Sequence, residues 1–366
     1  MKFDILIGSD NFWDALKADI VSAKTRVHIQ AMTCEGDSVG AKVFEAMKQS
    51  EAADKCLCVD NFSNLVISDD FIYGRRRLHD PASREEVRTT KEIFSTAPSE
   101  NIKMAFTNPM GFLFTKYPHR NHKKLMLIDD DVAYVGGINF SEHNFEWHDI
   151  MLRIESQDMT ALLSDDYQNT INGKNQSLRT NIGDTEVFIL DGRRSWGLYE
   201  DLFEVLKSAK HSIKVISPYI TWPFLDVIGE KAKDGVDVRI ISPEANNKAL
   251  LKYYLQNQQK KYPFSLFMYE KKMSHLKAIL IDEETLVMGS TNFDFASYCL
   301  EQEFCLVFRD PDLIAQFKEK VVDDALAHSR EHKSEATNWR HSAAGAVIGV
   351  AIAGCKGLSK LIYGRR

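Results

Sequence analysis

A chain of 366 residues that is 44% hydrophobic and 27% charged has the composition of a folded globular protein, and its length favours two domains over one. A net charge of −6 argues against a general nucleic-acid coat, because such binders need a basic surplus. Six scattered cysteines with one Cys-x-Cys complete no zinc site and read as reduced thiols.

The opening "MKFDILIGSDNFWD" carries acids and polar residues where a leader peptide needs an apolar core, so a cytoplasmic location is expected. "ALKADIVSAKTRVHIQAMT" then reads as an amphipathic helix, a break, and an alternating strand with Val27 and Ile29 on one face. Further on, "DDFIYGRRRLHDPASREEVRTTKEIF" sets Arg75, Arg76 and Arg77 in a loop, as a solvated charge run or a contact for anionic lipid. "HRNHKKLMLIDDDVAYVGGINF", His119 to Phe140, gives a buried strand, an acidic turn and a second strand. Asp149 heads the next apolar strand, in "FEWHDIMLRI". The polar stretch Asn169 to Glu186 lacks apolar periodicity and reads as a connector.

The same events then recur. "DLFEVLKSAKHSIKVISPYI" repeats helix, Ser-Ala-Lys and strand; "MSHLKAILIDEETLVMGSTNF" repeats the double strand; "LEQEFCLVF" supplies Glu303 before an apolar run. Ser22 matches Ser208 at an offset of 186 and His122 matches His275 at 153, which leaves 33 extra residues in the first half, placed around the arginine-rich run. The predicted class is α/β, two repeated α/β sandwich domains over residues 1–178 and 179–330. Residues 331–366 are expected as a polar spacer and a short apolar and basic tail. The uncharged run Ala343 to Cys355, followed by Lys356, Lys360, Arg365 and Arg366, falls short of the roughly 20 residues that span a bilayer. It reads as a docked helix or an interfacial anchor.

The repeated stretches share the spacing His-x-Lys-x4-Asp-x6-Gly-[Gly/Ser]-x-Asn. Residues i and i+2 of a strand point to one side, so His122 emerges with Lys124, and His275 with Lys277. Asn139 and Asn292 return on the second strands, after Gly136 and Gly137 or Gly289 and Ser290, whose small side chains allow close approach. Lysines and amides stabilise phosphoryl oxygens, while one imidazole attacks phosphorus and the other protonates the leaving alcohol. Asp149 follows His122 by 27 residues and Glu303 follows His275 by 28, placements suited to fixing an imidazole tautomer. Asp129 and Asp282 are expected to be structural turn residues. His119, His143 and His148 have no matched partner. No metal and no cofactor is expected.

This duplicated motif resembles the phospholipase D superfamily, named for two His-x-Lys-x4-Asp signatures, and within it the bacterial cardiolipin synthases, which "VISPYITWP" and "GSTNFDFASYCLEQEF" also match. The resemblance implies two phospholipase D-like repeats related by a pseudo-twofold axis, with the active site at their interface. It also implies a phosphohistidine intermediate, with His122 as nucleophile and His275 as general acid/base. The implied reaction is phosphatidyl transfer from a phospholipid such as phosphatidylglycerol to a lipid alcohol, at the periphery of a membrane. Alternatives are a phospholipase D, a phosphodiesterase or nuclease with the same chemistry, and a non-enzymatic lipid-binding scaffold.

Overall fold

Val27 and Ile29 lie on a strand at the heart of a seven-stranded sheet. The computed structural model describes residues 1–112, 117–192, 194–333 and 338–363; Arg365, Arg366 and the side chain of Arg76 lie outside the described residues, as does part of the spacer. The chain divides into two units, Met1–Gln176 and Ser177–Arg366. The first runs β1 (Lys2–Ile7), α1 (Ser9–Ser22), β2 (Arg26–Ala31), α2 (Ser38–Gln49), β3 (Asp54–Asp60), β4 (Val66–Ile67), β5 (Asp70–Phe71), α3 (Arg75–His79), α4 (Pro81–Thr96), β6 (Lys103–Thr107), β7 (Leu125–Ile128), β8 (Val132–Gly136), α5 (Glu142–Phe145), β9 (Ile150–Glu155) and α6 (Gln157–Ile171). Its main sheet has the order β1-β9-β8-β7-β2-β3-β6. Strands β2, β3 and β6 are parallel, and the others are antiparallel to their neighbours. Phe12, Leu16 and Ile20, four residues apart, give α1 one apolar stripe, which packs with Val27 and Ile29 in the first core.

The second unit runs β10 (Leu178–Ile182), β11 (Thr185–Leu190), α7 (Trp196–Lys207), β12 (Ser212–Ile216), α8 (Phe224–Lys233), β13 (Asp237–Pro243), α9 (Ala249–Gln258), β14 (Ser265–Tyr269), β15 (Ala278–Ile281), β16 (Thr285–Gly289), α10 (Phe295–Cys299), β17 (Glu303–Phe308), α11 (Pro311–Phe317), α12 (Asp324–Ala327), β18 (Ser329–His332) and α13 (Trp339–Tyr363). Within its sheet, β11-β17-β16-β15-β12-β13-β14 repeats the first sheet strand for strand, and β10 and β18 are added at the edges. The mixed α/β class and the internal duplication are therefore visible in the topology itself.

Two segments differ from expectation: the arginine run, where Arg75–His79 form the short helix α3 rather than a loop, and the connector, while the tail takes the docked-helix alternative. The polar connector is shorter than Asn169–Glu186, because Leu178–Ile182 and Thr185–Leu190 form a hairpin turning at Gly183, where φ is +57°. Its first strand is an edge strand with only one partner, so it has no need of a continuous apolar run. The tail is helical: Ala344, Ile348 and Ile352 are buried in the second core, and a Cβ on Gly345 would lie 2.9 Å from the Asn257 side chain on α9. Its other face is exposed, with Val347 and Val350 open to solvent. Among the described residues no helix is long and apolar enough to cross a membrane.

Most of the first half's extra residues lie between β3 and β6, where β4, β5, α3 and α4 stand in place of the single helix α9. Asp80 caps α4 by accepting from the Ser83 amide at 2.9 Å, with Pro81 at the first helical position. This insert docks closely on the loop after β2. The Gly36 amide donates to Thr90 Oγ1 at 2.7 Å, and a Cβ at Gly36 would meet the Thr90 backbone at 2.1 Å. Carboxylate oxygens of Glu35, Asp37 and Glu86 lie within 4.8 Å of one another, a cluster invisible in the sequence because its third member is distant along the chain. Asp37 is already committed as the cap of α2, accepting from the Val39 and Gly40 amides.

Burial, reinforced by the neighbouring acids Glu86 and Asp37, pushes Glu35 up to about 9, against the opposing hydrogen bond from the Ser68 amide. Glu35 is thus neutral when folded but ionises near 4.5 when unfolded, so its contribution is complete below about pH 4.5 and is lost as pH rises to about 9. Glu35→Gln should flatten the pH dependence of the thermal unfolding midpoint and raise that midpoint above wild type near pH 9. Parallel profiles for the two proteins would refute a neutral, raised Glu35 carboxyl in the folded chain.

Candidate active site

Each half builds its site from one hairpin and one neighbouring strand. In the first, β7 and β8 pair with Leu125 opposite Val135, and the turn passes through Asp129 at φ +50°. In the second, β15 and β16 pair with Ala278 opposite Met288, and Asp282 turns at φ +51°. The two aspartates do the same structural job. Asp129 accepts from the Thr25 amide at 2.7 Å and from the Lys24 and Arg26 amides; Asp282 accepts from Lys210, His211 and Ser212 at 2.8, 2.8 and 2.7 Å. Burial is the largest single influence and raises both carboxyl groups, but the hydrogen bonds from the amides together outweigh it and hold both below the usual carboxylate range. The last letter of the motif therefore pins the helix-to-strand turn ahead of β2 or β12, at the opposite end of the hairpin from the histidine.

At that other end the register lines up the chemistry. Gly136 pairs with Met151 and Gly289 with Cys305. Continuing the β7–β8 and β15–β16 pairings by three residues, and the β8–β9 and β16–β17 pairings by two, sets His122, Ile138 and Asp149 level across the first sheet, and His275, Thr291 and Glu303 level across the second. The unequal spacings of 27 and 28 residues thus reach equivalent positions, with one added residue in the connection before β17. All four acids and histidines are buried, as are Lys124 and Lys277.

Both lysines fold back in the same way. Lys124 Nζ donates to the His122 carbonyl at 2.7 Å, and Lys277 Nζ donates to the His275 carbonyl. Lys277 Nζ also lies 2.9 Å from Nδ1 of the His275 ring, an ammonium beside an imidazole. The ring of Tyr219 meets His275 edge-on at 5.8 Å, and Lys248 lies over the Tyr219 face at 4.6 Å. Asn139 Oδ1 accepts from the Met32 amide at 3.2 Å, whereas the Oδ1 of Asn292 is buried without a hydrogen-bond donor among the described residues.

The close approach that the small residues allow is that of the neighbouring strand. A Cβ at Gly136 would meet the Ile150 carbonyl at 2.5 Å, and one at Gly289 would meet the Phe304 carbonyl at 2.4 Å, so it is the adjacent strand that excludes side chains. A Cβ at Gly137 would meet the Asp149 carboxylate at 2.5 Å. Its counterpart Ser290 instead donates through its hydroxyl to Glu303, whose other oxygen accepts from Ser297 at 2.8 Å. Ser290 is thus a partner of the acid as well as a small residue.

Supporting groups escaped the sequence reading. Asp60, at the end of β3, accepts from Arg120 at 2.5 Å, the Asn121 amide at 2.6 Å and Asn108 at 3.0 Å, clamping the approach to His122. Lys123, on the opposite side of the strand from His122 and Lys124, donates to Asp166 at 2.8 and 2.6 Å and to Thr170 at 3.0 Å, all buried on α6. Only the alternation of side chains in "HKK" hinted at this. His119 is buried beside the clamp, and His148 is half-buried. His143 stands 3.8 Å from Glu35 and 3.6 Å from Asp69, at the insert.

A seven-stranded α/β unit made twice, each copy bearing a buried His-x-Lys row with an acid alongside, defines a duplicated phospholipase D-like protein. Residues 16–171 and 202–324 match the family described as cardiolipin synthase, phospholipase D-like domain, and the chain belongs to that family. It is 23% identical over 353 residues to a cardiolipin synthase of Listeria welshimeri, a match covering 89% of this chain and 69% of the relative. It is also 21% identical to cardiolipin synthase 1 of Staphylococcus epidermidis, over 88% of this chain and 67% of that one. In fold it is similar to a phosphatidylserine synthase from Haemophilus influenzae Rd KW20, with a TM-score of 0.74 at 14% identity, covering 99% of this chain and 94% of the other.

Proposed function

We propose that the chain is a phosphatidyltransferase of the cardiolipin synthase type, acting on phosphatidylglycerol or a related phospholipid. The observation that carries this reading is the duplicated set of a buried histidine and lysine with an acid alongside, at equivalent positions in the two copies. His122 attacks the phosphorus of the donor phosphodiester, forming an N–P bond as the P–O bond to the headgroup alcohol breaks. His275 gives that departing alcohol its proton. The incoming lipid alcohol then loses its proton to His275, attacks the same phosphorus and releases His122, so atoms and charge balance over the cycle. Lys124 and Lys277 stabilise the phosphoryl oxygens through the charge they carry, and Asp149 and Glu303 act as positioning residues for the imidazoles.

The exposed Val347–Val350 face of α13 supports attachment at a membrane surface rather than across it. Purified protein mixed with phosphatidylglycerol vesicles should release glycerol and form cardiolipin, and should sediment with those vesicles. Phosphatidic acid as the sole lipid product would replace transfer by hydrolysis, and no turnover would favour the scaffold.

A further inference from the structure

The insert of the first half contains a cleft of about 150 Å3 that the catalytic reading does not use. Ile67, Ile72, Tyr73 and Val87 form its apolar walls, and Arg77, Arg84 and Lys91 its basic rim. Local sequence explains the arrangement. Ser68 and Asp69, at φ +48° and +62°, make a tight hairpin that folds Ile72 back beside Ile67. Positions 84, 87 and 91 then share one face of α4, placing an apolar residue between two cations.

Of the three cations, Arg77 is neutralised by Asp70 at 2.9 Å and also donates to Ser83 at 3.0 Å. Arg84 and Lys91 are exposed, and neither has a carboxylate within ion-pair distance among the described residues. An aliphatic cavity of roughly this size is known to take up a molecule as apolar as benzene. Phe71 and Tyr73, 41% and 59% exposed, pack edge to face at 5.4 Å beside the opening, the kind of aromatic pair favoured at a lipid–water boundary. Apolar walls, surplus positive charge and boundary aromatics together match an amphiphile with an anionic head.

We propose that this cleft receives part of an acyl chain of an anionic phospholipid at a membrane surface, with the lipid phosphate held by Arg84 and Lys91. The second half has only α9 at the corresponding point of its fold, so the cleft belongs to the first half alone. The inference does not depend on transfer chemistry, and its test needs no turnover.

The full-length His122→Ala protein, which leaves the lipid unconsumed, is irradiated with phosphatidylglycerol vesicles carrying a trace of phosphatidylglycerol with a diazirine on its acyl chain. Adducts are located by mass spectrometry. They should fall on residues 66–91, and neutral phosphatidylcholine vesicles carrying the same probe should give far fewer. Adding Val87→Trp, which fills the cleft with apolar bulk, should remove them. Arg84→Glu with Lys91→Glu should lower their yield by about tenfold or more. Thermal midpoints measured alongside confirm that these surface variants fold. Adducts confined to other segments, or a yield indifferent to Val87→Trp, would overturn the proposal. So would a dimer that Val87→Trp dissolves in the absence of lipid adducts, since the cleft would then belong to a second copy.

Discussion

Replacing His122 by Ala should abolish phosphatidyl transfer, and replacing His275 by Ala should slow it by about 10²–10⁴-fold, the usual worth of a general acid. Neither should change stability by more than about 1 kcal/mol, since each truncates one side chain at a strand end, outside the apolar cores. The two losses are distinguished by the leaving group. A p-nitrophenyl phosphodiester departs without protonation, so His275→Ala should still form a phosphoenzyme with it, visible after denaturing quench with labelled substrate. His122→Ala should form none. The reverse pattern would exchange the two roles, and a labelled intermediate in both variants would remove the histidines from the covalent step.

The second large effect is on stability. Lys123→Ala leaves the carboxylate of Asp166, fully buried on α6, without its ammonium, and should cost about 3–5 kcal/mol in urea unfolding. Lys123→Met with Asp166→Leu removes both charges, keeps most of the volume and should recover most of the loss, because a buried ion pair gains little over well-packed apolar groups. The double variant also separates structure from chemistry. Lys123 points away from His122 and Lys124 on an alternating strand, so a stable double variant should turn over lipid at close to the wild-type rate. A stable but inactive double variant would give the Lys123–Asp166 pair a part in the reaction.

Much of this is legible in the sequence, for reasons that lie in particular residues. The duplication was legible because the chain states it twice: Val27 and Ile29 have their echo in Ile213 and Val215, and each pair lies on the strand beside the motif hairpin. Asp149 and Glu303 were legible despite spacings that differ by one, since both open an apolar strand. What the sequence hid are pairings between distant residues. Nothing links Asp60 to Arg120, Glu35 to Glu86 or Lys123 to Asp166 until β3, α4 and α6 are folded against the strands that carry their partners. The β10–β11 hairpin was missed because an edge strand can be polar. The tail was ambiguous because Ala344, Ile348 and Ile352, which meet α9, are too few and too small to outweigh an otherwise featureless run.

The nests of amides around Asp129 and Asp282 change how kindred sequences should be read. Each carboxylate stitches together a turn that precedes its own hairpin by about a hundred residues in one half and seventy in the other. A descendant with Asn or Ser at either place, but with both imidazoles and both ammonium groups retained, would be a softer protein rather than a dead one, and warming it should expose the defect before any assay of chemistry does.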